Sequence, residues 1–266
     1  MGSKFITKLE KSSKANGSKL IIALDISSEL QKYNRSEWVN IKKQLFTRAE
    51  SILDKLGDKI AGVKINNQLL LPLGLYEYVP DLISLIDSWN LPVIADIKIN
   101  DVGHTNEWIA KHFFNAGFDA LIANPFVGWD GGLDKVFETA RRYNGGVILL
   151  VYMSHPGALE GFNQTVIDHQ TGLQKPQFML FAEKANNWGA DGVIVGATSP
   201  QIIKAVRSVL NKNILILSPG VGVQGGEGGE AIRAGASYII VGRSVFESSN
   251  PSLTVTQINE ILKKAL

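Results

Sequence analysis

Pro219-Gly220-Val221-Gly222-Val223-Gln224-Gly225-Gly226 is the stretch that decides between two architectures built from alternating strands and helices. An open, doubly wound sheet carries its glycine-rich turn after the first strand, whereas a closed barrel commonly holds phosphate after its seventh and eighth. Working outward from the glycines, eight short apolar or β-branched runs can be counted: Leu20 to Asp25, Ile60 to Ile65, Pro92 to Ile97, Ala120 to Ala123, Gly146 to Tyr152, Gly192 to Val195, Ile214 to Leu217 and Tyr238 to Val241. The first run is followed by Ile26-Ser27-Ser28 with no glycine, the seventh by the glycine cluster and the eighth by Gly242-Arg243. Most runs are continuously apolar, as strands covered on both faces should be, and the segments between them have helical periodicity. The expected fold class is therefore α/β, a single-domain (β/α)8 TIM barrel.

The 266 residues, 45% hydrophobic and 20% charged, suffice for one large core. No window approaches the roughly 18 consecutive apolar residues of a membrane span, and the opening residues lack the apolar segment of an export signal. There is no cysteine, which excludes disulfides, thiolate nucleophiles and cysteine-based zinc sites. A cytoplasmic protein without a membrane partner is expected. The net charge of +2 is uneven: Lys4, Lys8, Lys11, Lys14 and Lys19 against Glu10 put +4 on residues 1–19 and leave −2 on the remainder. Residues 1–19 read as a lysine-rich, solvated and flexible leader, and 20–266 as the barrel. The body is not basic and the tryptophans fall mostly in helical stretches, so no nucleic-acid partner is expected. The connection from His155 to about Pro176 carries Gly157, Gly161 and Gly172 with little periodicity. Its length suggests a lid.

In a barrel, side chains at the C-terminal strand ends face the site. Here they are Asp25, Lys64, Asp96 with Lys98, Ser154, Ser218-Pro219 and Gly242-Arg243. Asp96 and Lys98, two apart on a strand, share a face, and Asp101 follows just beyond the strand end. Carboxylates on both sides of Lys98 would keep it protonated and aimed as a proton donor. The Pro219 to Gly226 turn with Gly242 and Arg243 offers backbone N–H groups, the Gln224 amide and a guanidinium, a set suited to a phosphate dianion. The histidines His104, His112, His155 and His169 have no ligand spacing. Neither metal nor cofactor is indicated.

These motifs together resemble the orotidine 5'-monophosphate decarboxylases. The matching elements are Ala23-Leu24-Asp25, Val63-Lys64, Asp96-x-Lys98-x-x-Asp101 with Thr105, Met153-Ser154, Pro219-Gly220 with Gln224-Gly225-Gly226, and Gly242-Arg243, running from Leu20 to the eighth strand. The resemblance implies a metal-free and cofactor-free conversion of orotidine monophosphate to UMP, with Lys98 protonating C6 and Asp96, Asp101 and Lys64 completing an alternating charge array. It further implies that Asp25, Lys64 and Thr105 bind the ribose, Ser154 the pyrimidine edge, and Gln224, Arg243 and Gly242 the phosphate, with Pro219 beside them. It also implies a homodimer in which Asp101 and Thr105 enter the neighbouring subunit's site. Gly103-His104 departs from the Pro-polar pair common in the family, and the lid and leader are longer.

Two rival readings follow from the same residues. One is a magnesium-dependent sugar-phosphate decarboxylase or aldolase of the same superfamily, in which an acidic metal ligand ends the second strand; Lys64 stands there and would repel the ion. The other is a non-catalytic nucleotide-phosphate binding protein, against which the intact Asp96, Lys98 and Asp101 speak.

Overall fold

The computed structural model describes residues 3–169, 171–222 and 226–266. The chain opens with a helix, α1 (Lys4–Ala15), before strand β1 (Leu20–Ala23). The next units are α2 (Trp38–Leu56), β2 (Gly62–Asn66), α3 (Asn67–Leu73), α4 (Val79–Ser88) and β3 (Val93–Ile99). Then come α5 (Gly103–Asn115), β4 (Ala120–Ala123), α6 (Asp134–Tyr143), β5 (Gly146–Tyr152) and α7 (Ala158–Phe162). A short pair, β6 (Thr165–Ile167) and β7 (Gln174–Pro176), precedes α8 (Gln177–Trp188), β8 (Gly192–Val195), α9 (Pro200–Val209) and β9 (Leu215–Pro219). The chain closes with α10 (Gly226–Arg233), β10 (Tyr238–Val241), α11 (Arg243–Phe246) and α12 (Pro251–Ala265).

Eight parallel strands close into a barrel in the order β1-β10-β9-β8-β5-β4-β3-β2. This is the expected (β/α)8 barrel, and four strands, β4, β5, β8 and β10, have the bounds read from sequence. Because side chains alternate across a strand, one apolar run serves two cores. Ile22, Val63, Val93, Leu121, Leu149 and Val193 lie under the helices. Ile21, Ile94, Ile122, Ile148, Leu150, Ile194 and Ile240 fill the barrel interior. Burial on both sides explains the continuous hydrophobic pattern.

The expectation of a flexible leader is corrected. Residues 4–15 form α1, whose Phe5 and Leu9, one helical turn apart, are fully buried and belong to the barrel-interior core. Lys8 on the same helix bonds Asp87 (2.8 Å) and Asp119 (3.0 Å), and Ser3 Oγ donates to Asp191 (2.6 Å). The lysines and serines of this segment concealed an amphipathic helix whose short apolar stripe consists of Phe5 and Leu9 with Ile6 packed beside them.

Two further segments add detail to the sequence reading. The segment 155–176 contains α7 and the antiparallel pair β6 and β7. Phe162 packs on Tyr152 and Phe181, and Lys175 ties the pair to Glu183 of α8 at 2.7 Å. One helical run, Asn67–Ser88, is long and apolar enough by composition to cross a membrane. Here α3 and α4 pack against α2 in the outer layer of the barrel, with Pro72 and Gly74 interrupting the run.

Candidate active site

The C-terminal ends of β2 and β3 supply the charged centre. Parallel pairing sets Asn66 beside Asp96 and Lys64 beside Ile94. Between Ala95 and Ile99 the register with β4 slips, and within this irregularity Lys98 adopts φ +47°. A left-handed backbone is unfavourable for a side chain with a Cβ and is held where the surroundings enforce it. The irregularity frees the end of β3 from regular pairing and directs Lys98 back to Asp96. Asp96 Oδ2 accepts from Lys64 Nζ at 2.6 Å and Asp96 Oδ1 from Lys98 Nζ at 2.7 Å. One largely buried carboxylate thus bridges two ammonium groups.

Burial by itself would raise the Asp96 pKa, but the charges and hydrogen bonds of Lys64 and Lys98 outweigh it and hold the carboxyl below the usual aspartate value. Asp96 is therefore ionised at neutral pH. Asp25 shifts the opposite way. Burial raises it, Lys64 opposes, and the negative charge of Asp96 adds to the rise. Asp25 Oδ1 accepts from Asn66 Nδ2 at 2.7 Å, while a methyl group on Gly242 would lie 2.5 Å from its Oδ2. Glycine at 242 is a requirement of that close approach.

Lys64, Asp96 and Lys98 open onto a cavity of about 180 Å3 whose other walls are Ile122, Leu150, Met153, Ser154, Ile194, Pro219 and Ile240. Its floor is the upper layer of the barrel core. A wider cleft of about 590 Å3 shares Lys64, Ser154, Pro219 and Ile240 and adds Asp25, Gly220, Gly222, Gly242 and Arg243. The pair reads as an apolar slot with a charged rim, continuing into a polar cleft lined by the Arg243 guanidinium together with Glu227 and Glu247. Such a shape suits a planar ring joined to a phosphate.

The structure brings Asp25, Lys64, Asp96, Lys98, Ser154, Pro219, Gly242 and Arg243 around these two connected cavities. Ser218 is fully buried and lines neither. Gln224 lies outside the described residues. Asp101 and Thr105 line neither cavity, and among the described residues Asp101 makes no ion pair; its Oδ1 accepts from the N–H of Val102 at 2.7 Å. The carboxylate cage read from sequence is thus only half present within one chain.

Several contributors escaped the sequence reading. Asn66 is two residues beyond Lys64, so the same-face rule that paired Asp96 with Lys98 could have found it. Gly196 and Gly220 enclose Ser154: a methyl at either would come within 3.0 Å of that residue, and Gly220 has φ +99°. Glu227 Oε2 accepts from the N–H of Gly222 at 2.9 Å, so a carboxylate engages one N–H of the glycine turn. No local pattern announces the contacts of Gly196, Gly220 and Glu227, because each joins segments distant in sequence or across a turn. Among the described residues there is no cluster of three or more His, Asp or Glu able to hold a metal ion.

Comparison with known proteins adds an independent line. Residues 18–258 match the model of the "Orotidine 5'-phosphate decarboxylase / HUMPS family". The orotidine 5'-phosphate decarboxylase of Pyrococcus abyssi is 39% identical over 81% of this chain and 93% of its own length. That of Thermococcus kodakarensis is 38% identical over 91% of this chain and 96% of its own. The crystal structure of the Pyrococcus horikoshii enzyme, 33% identical, superposes with a TM-score of 0.70 over 92% of this chain and 99% of that one.

Proposed function

Since the chain belongs to the orotidine 5'-phosphate decarboxylase / HUMPS family, we propose that the Lys64–Asp96–Lys98 array at the mouth of the apolar slot is its catalytic centre. The protein is a carboxy-lyase of pyrimidine nucleotide synthesis that converts orotidine 5'-phosphate to UMP and carbon dioxide. The observation that carries the assignment of the site is the carboxylate shared by two ammonium groups beside a cavity of ring size.

Loss of carbon dioxide breaks the bond from C6 to the carboxylate carbon and leaves the electron pair at C6. Lys98, fixed beforehand by Asp96, stabilises that charge with little reorganisation and then donates its proton to C6. Asp96 keeps the ammonium aimed, and Lys64 keeps Asp96 from turning away. The walls of Ile122, Leu150, Ile194 and Ile240 exclude water and so strengthen the interaction. Asp25, Lys64 and Thr105 bind the ribose hydroxyls, Ser154 the pyrimidine edge, and Pro219, Gln224, Gly242 and Arg243 the phosphate end. No metal or organic cofactor takes part, and the cytoplasm is the site of action.

The working unit is a homodimer in which Asp101 and Thr105 reach the neighbouring protomer's site. Two observations support it. Among the described residues Asp101 has no cation of its own chain, although the family pattern pairs it with lysine. Leu71, Tyr76, Val102 and Trp108 are exposed, with Tyr76 bonded to His112 and Trp108 lying against that ring on α5, the helix that follows Asp101. An exposed aromatic group on the helix that carries Thr105 is what a subunit contact would cover.

The test follows the absorbance of orotidine 5'-phosphate with purified protein after exhaustive chelation. Undiminished turnover is expected. Activity restored only by added magnesium would assign the chain to the metal-dependent branch of the superfamily, and phosphate-dependent binding without turnover would make it a binding protein.

A further inference from the structure

Asn106 is fully buried in the first turn of α5, five residues beyond Asp101. Its Oδ1 accepts from the backbone N–H of Asp101 at 3.1 Å, and its Nδ2 donates to the carbonyl of the same residue. A second Nδ2 bond, 3.1 Å long, reaches the carbonyl of Gly132, in the turn before α6. One side chain thus grips both backbone polar groups of Asp101 and anchors them to the next strand-to-helix connection.

The chemistry is particular to an amide. The position requires an acceptor facing an N–H and two donors facing carbonyls, which asparagine supplies and aspartate, serine or alanine does not. The turn needs such a clamp because Val102, at the N-cap of α5, has no side-chain acceptor with which to cap the helix. The Asp101 side chain is held far less tightly: it is exposed, and its one hydrogen bond among the described residues is the Oδ1 contact with the N–H of Val102. Where that carboxylate goes is therefore set by the backbone from which it springs.

We propose that Asn106 is the positioning residue of Asp101, fixing the direction in which this carboxylate leaves its own barrel and hence its place in the neighbouring protomer's site. The inference rests on the shared-site reading given above. Asn106 touches neither cavity, so it acts through the backbone it positions, that of Asp101 first. Misplacing a catalytic group by about 1 Å costs about a hundredfold in rate, and this is the expected loss of kcat in Asn106→Ala, with binding of UMP retained.

Mixed dimers of full-length, differently tagged chains test both readings. A site is assigned to the protomer whose Lys98 it contains. Lys98→Ala paired with Asp101→Ala leaves one intact site per mixed dimer, and random equal mixing should recover about a quarter of wild-type activity. Lys98→Ala paired with Asn106→Ala should recover as much, because the good site then uses Lys98 of the Asn106→Ala chain and Asp101 of the other. Asp101→Ala paired with Asn106→Ala should not recover. A general packing defect in the Asn106→Ala barrel would instead spoil its own Lys98 site, so it predicts no recovery in the second pairing.

The outcomes separate cleanly. If the first pairing, with mixing verified by tag, stays inactive, the shared-site reading fails. If the first recovers while the second does not, if the third recovers, or if Asn106→Ala homodimers turn over at the wild-type rate, the role of Asn106 is overturned. Asn106→Ser, which retains a single hydroxyl, undergoes the same three pairings should the alanine chain not fold.

Discussion

The two ends of this barrel are built on opposite principles. At the N-terminal end α1 closes the opening: Phe5 and Leu9 enter the interior core, and the surrounding carboxylates are matched to donors. Asp119 accepts from Lys8 and from the N–H of Val93, and Asp191 accepts from Ser3 and from the N–H of Val147. At the C-terminal end Lys98 sits in a left-handed backbone on an irregular strand, two ammonium groups share one carboxylate, and the pKa of Asp25 is raised by burial. The difference teaches that one barrel can segregate its tasks. One end supplies apolar burial and satisfied polar groups, and the other concentrates charge and strain around the candidate site.

The comparison breaks first at Lys98. Lys98→Ala should lower kcat at least about a thousandfold, since it removes both the fixed positive charge and the proton donor. Thermal stability should change little, because the side chain is part-exposed and Asp96 keeps Lys64. Retention of a tenth of wild-type turnover would end the proton-donor assignment. The mirror experiment at the other end is Phe5→Ala, which leaves a cavity in the barrel interior and should cost about 3–5 kcal/mol in denaturant unfolding. Well below its melting temperature, that variant should keep kcat within about threefold of wild type, as distant sites act independently. A loss of turnover comparable to that of Lys98→Ala would show that the two ends are not separable.

The finest distinction concerns the Lys8 clamp. Lys8→Ala should cost about 1 kcal/mol: Asp87 is largely exposed, so its bond contributes little, and Asp119 retains the N–H of Val93. The pH dependence is fixed in sign. Burial lowers the Lys8 pKa, but its bonds to Asp87 and Asp119 and their charges outweigh this and raise it above 10.5, so its contribution is complete below that value and is lost as pH rises through the higher folded pKa. The bond and charge of Lys8 lower the Asp87 pKa below 3.8, so the Asp87 share is present above that value and is lost as pH falls through the lower folded pKa. The stability gap between wild type and Lys8→Ala should therefore be flat across neutral pH and narrow at both extremes. A gap that changes between pH 6 and 8, measured by denaturant titration, would assign it to some other group.

Sequence by itself determined the architecture and much of the candidate site's membership. Continuous apolar runs separated by helical periodicity specify strands buried on both faces, and the glycines after the seventh run, with none after the first, select the closed barrel. The same-face rule anticipated the meeting of Asp96 and Lys98 from two letters of spacing, although the fold achieves it through the left-handed backbone at Lys98 and not through regular strand alternation. Only tertiary structure decided the rest. The role of residues 4–15 depends on Phe5 meeting the interior core and on Lys8 meeting Asp87 and Asp119, residues far along the chain whose approach no local composition encodes. The left-handed turn at Lys98 arises where β3 loses register with β4, a consequence of pairing between strands. Asn106 is legible as an ordinary helical residue until the fold brings the backbone of Asp101 and the carbonyl of Gly132 to its amide. Periodicity is written in neighbouring residues, but hydrogen-bond partners and close contacts are fixed only when barrel closure brings distant segments within reach.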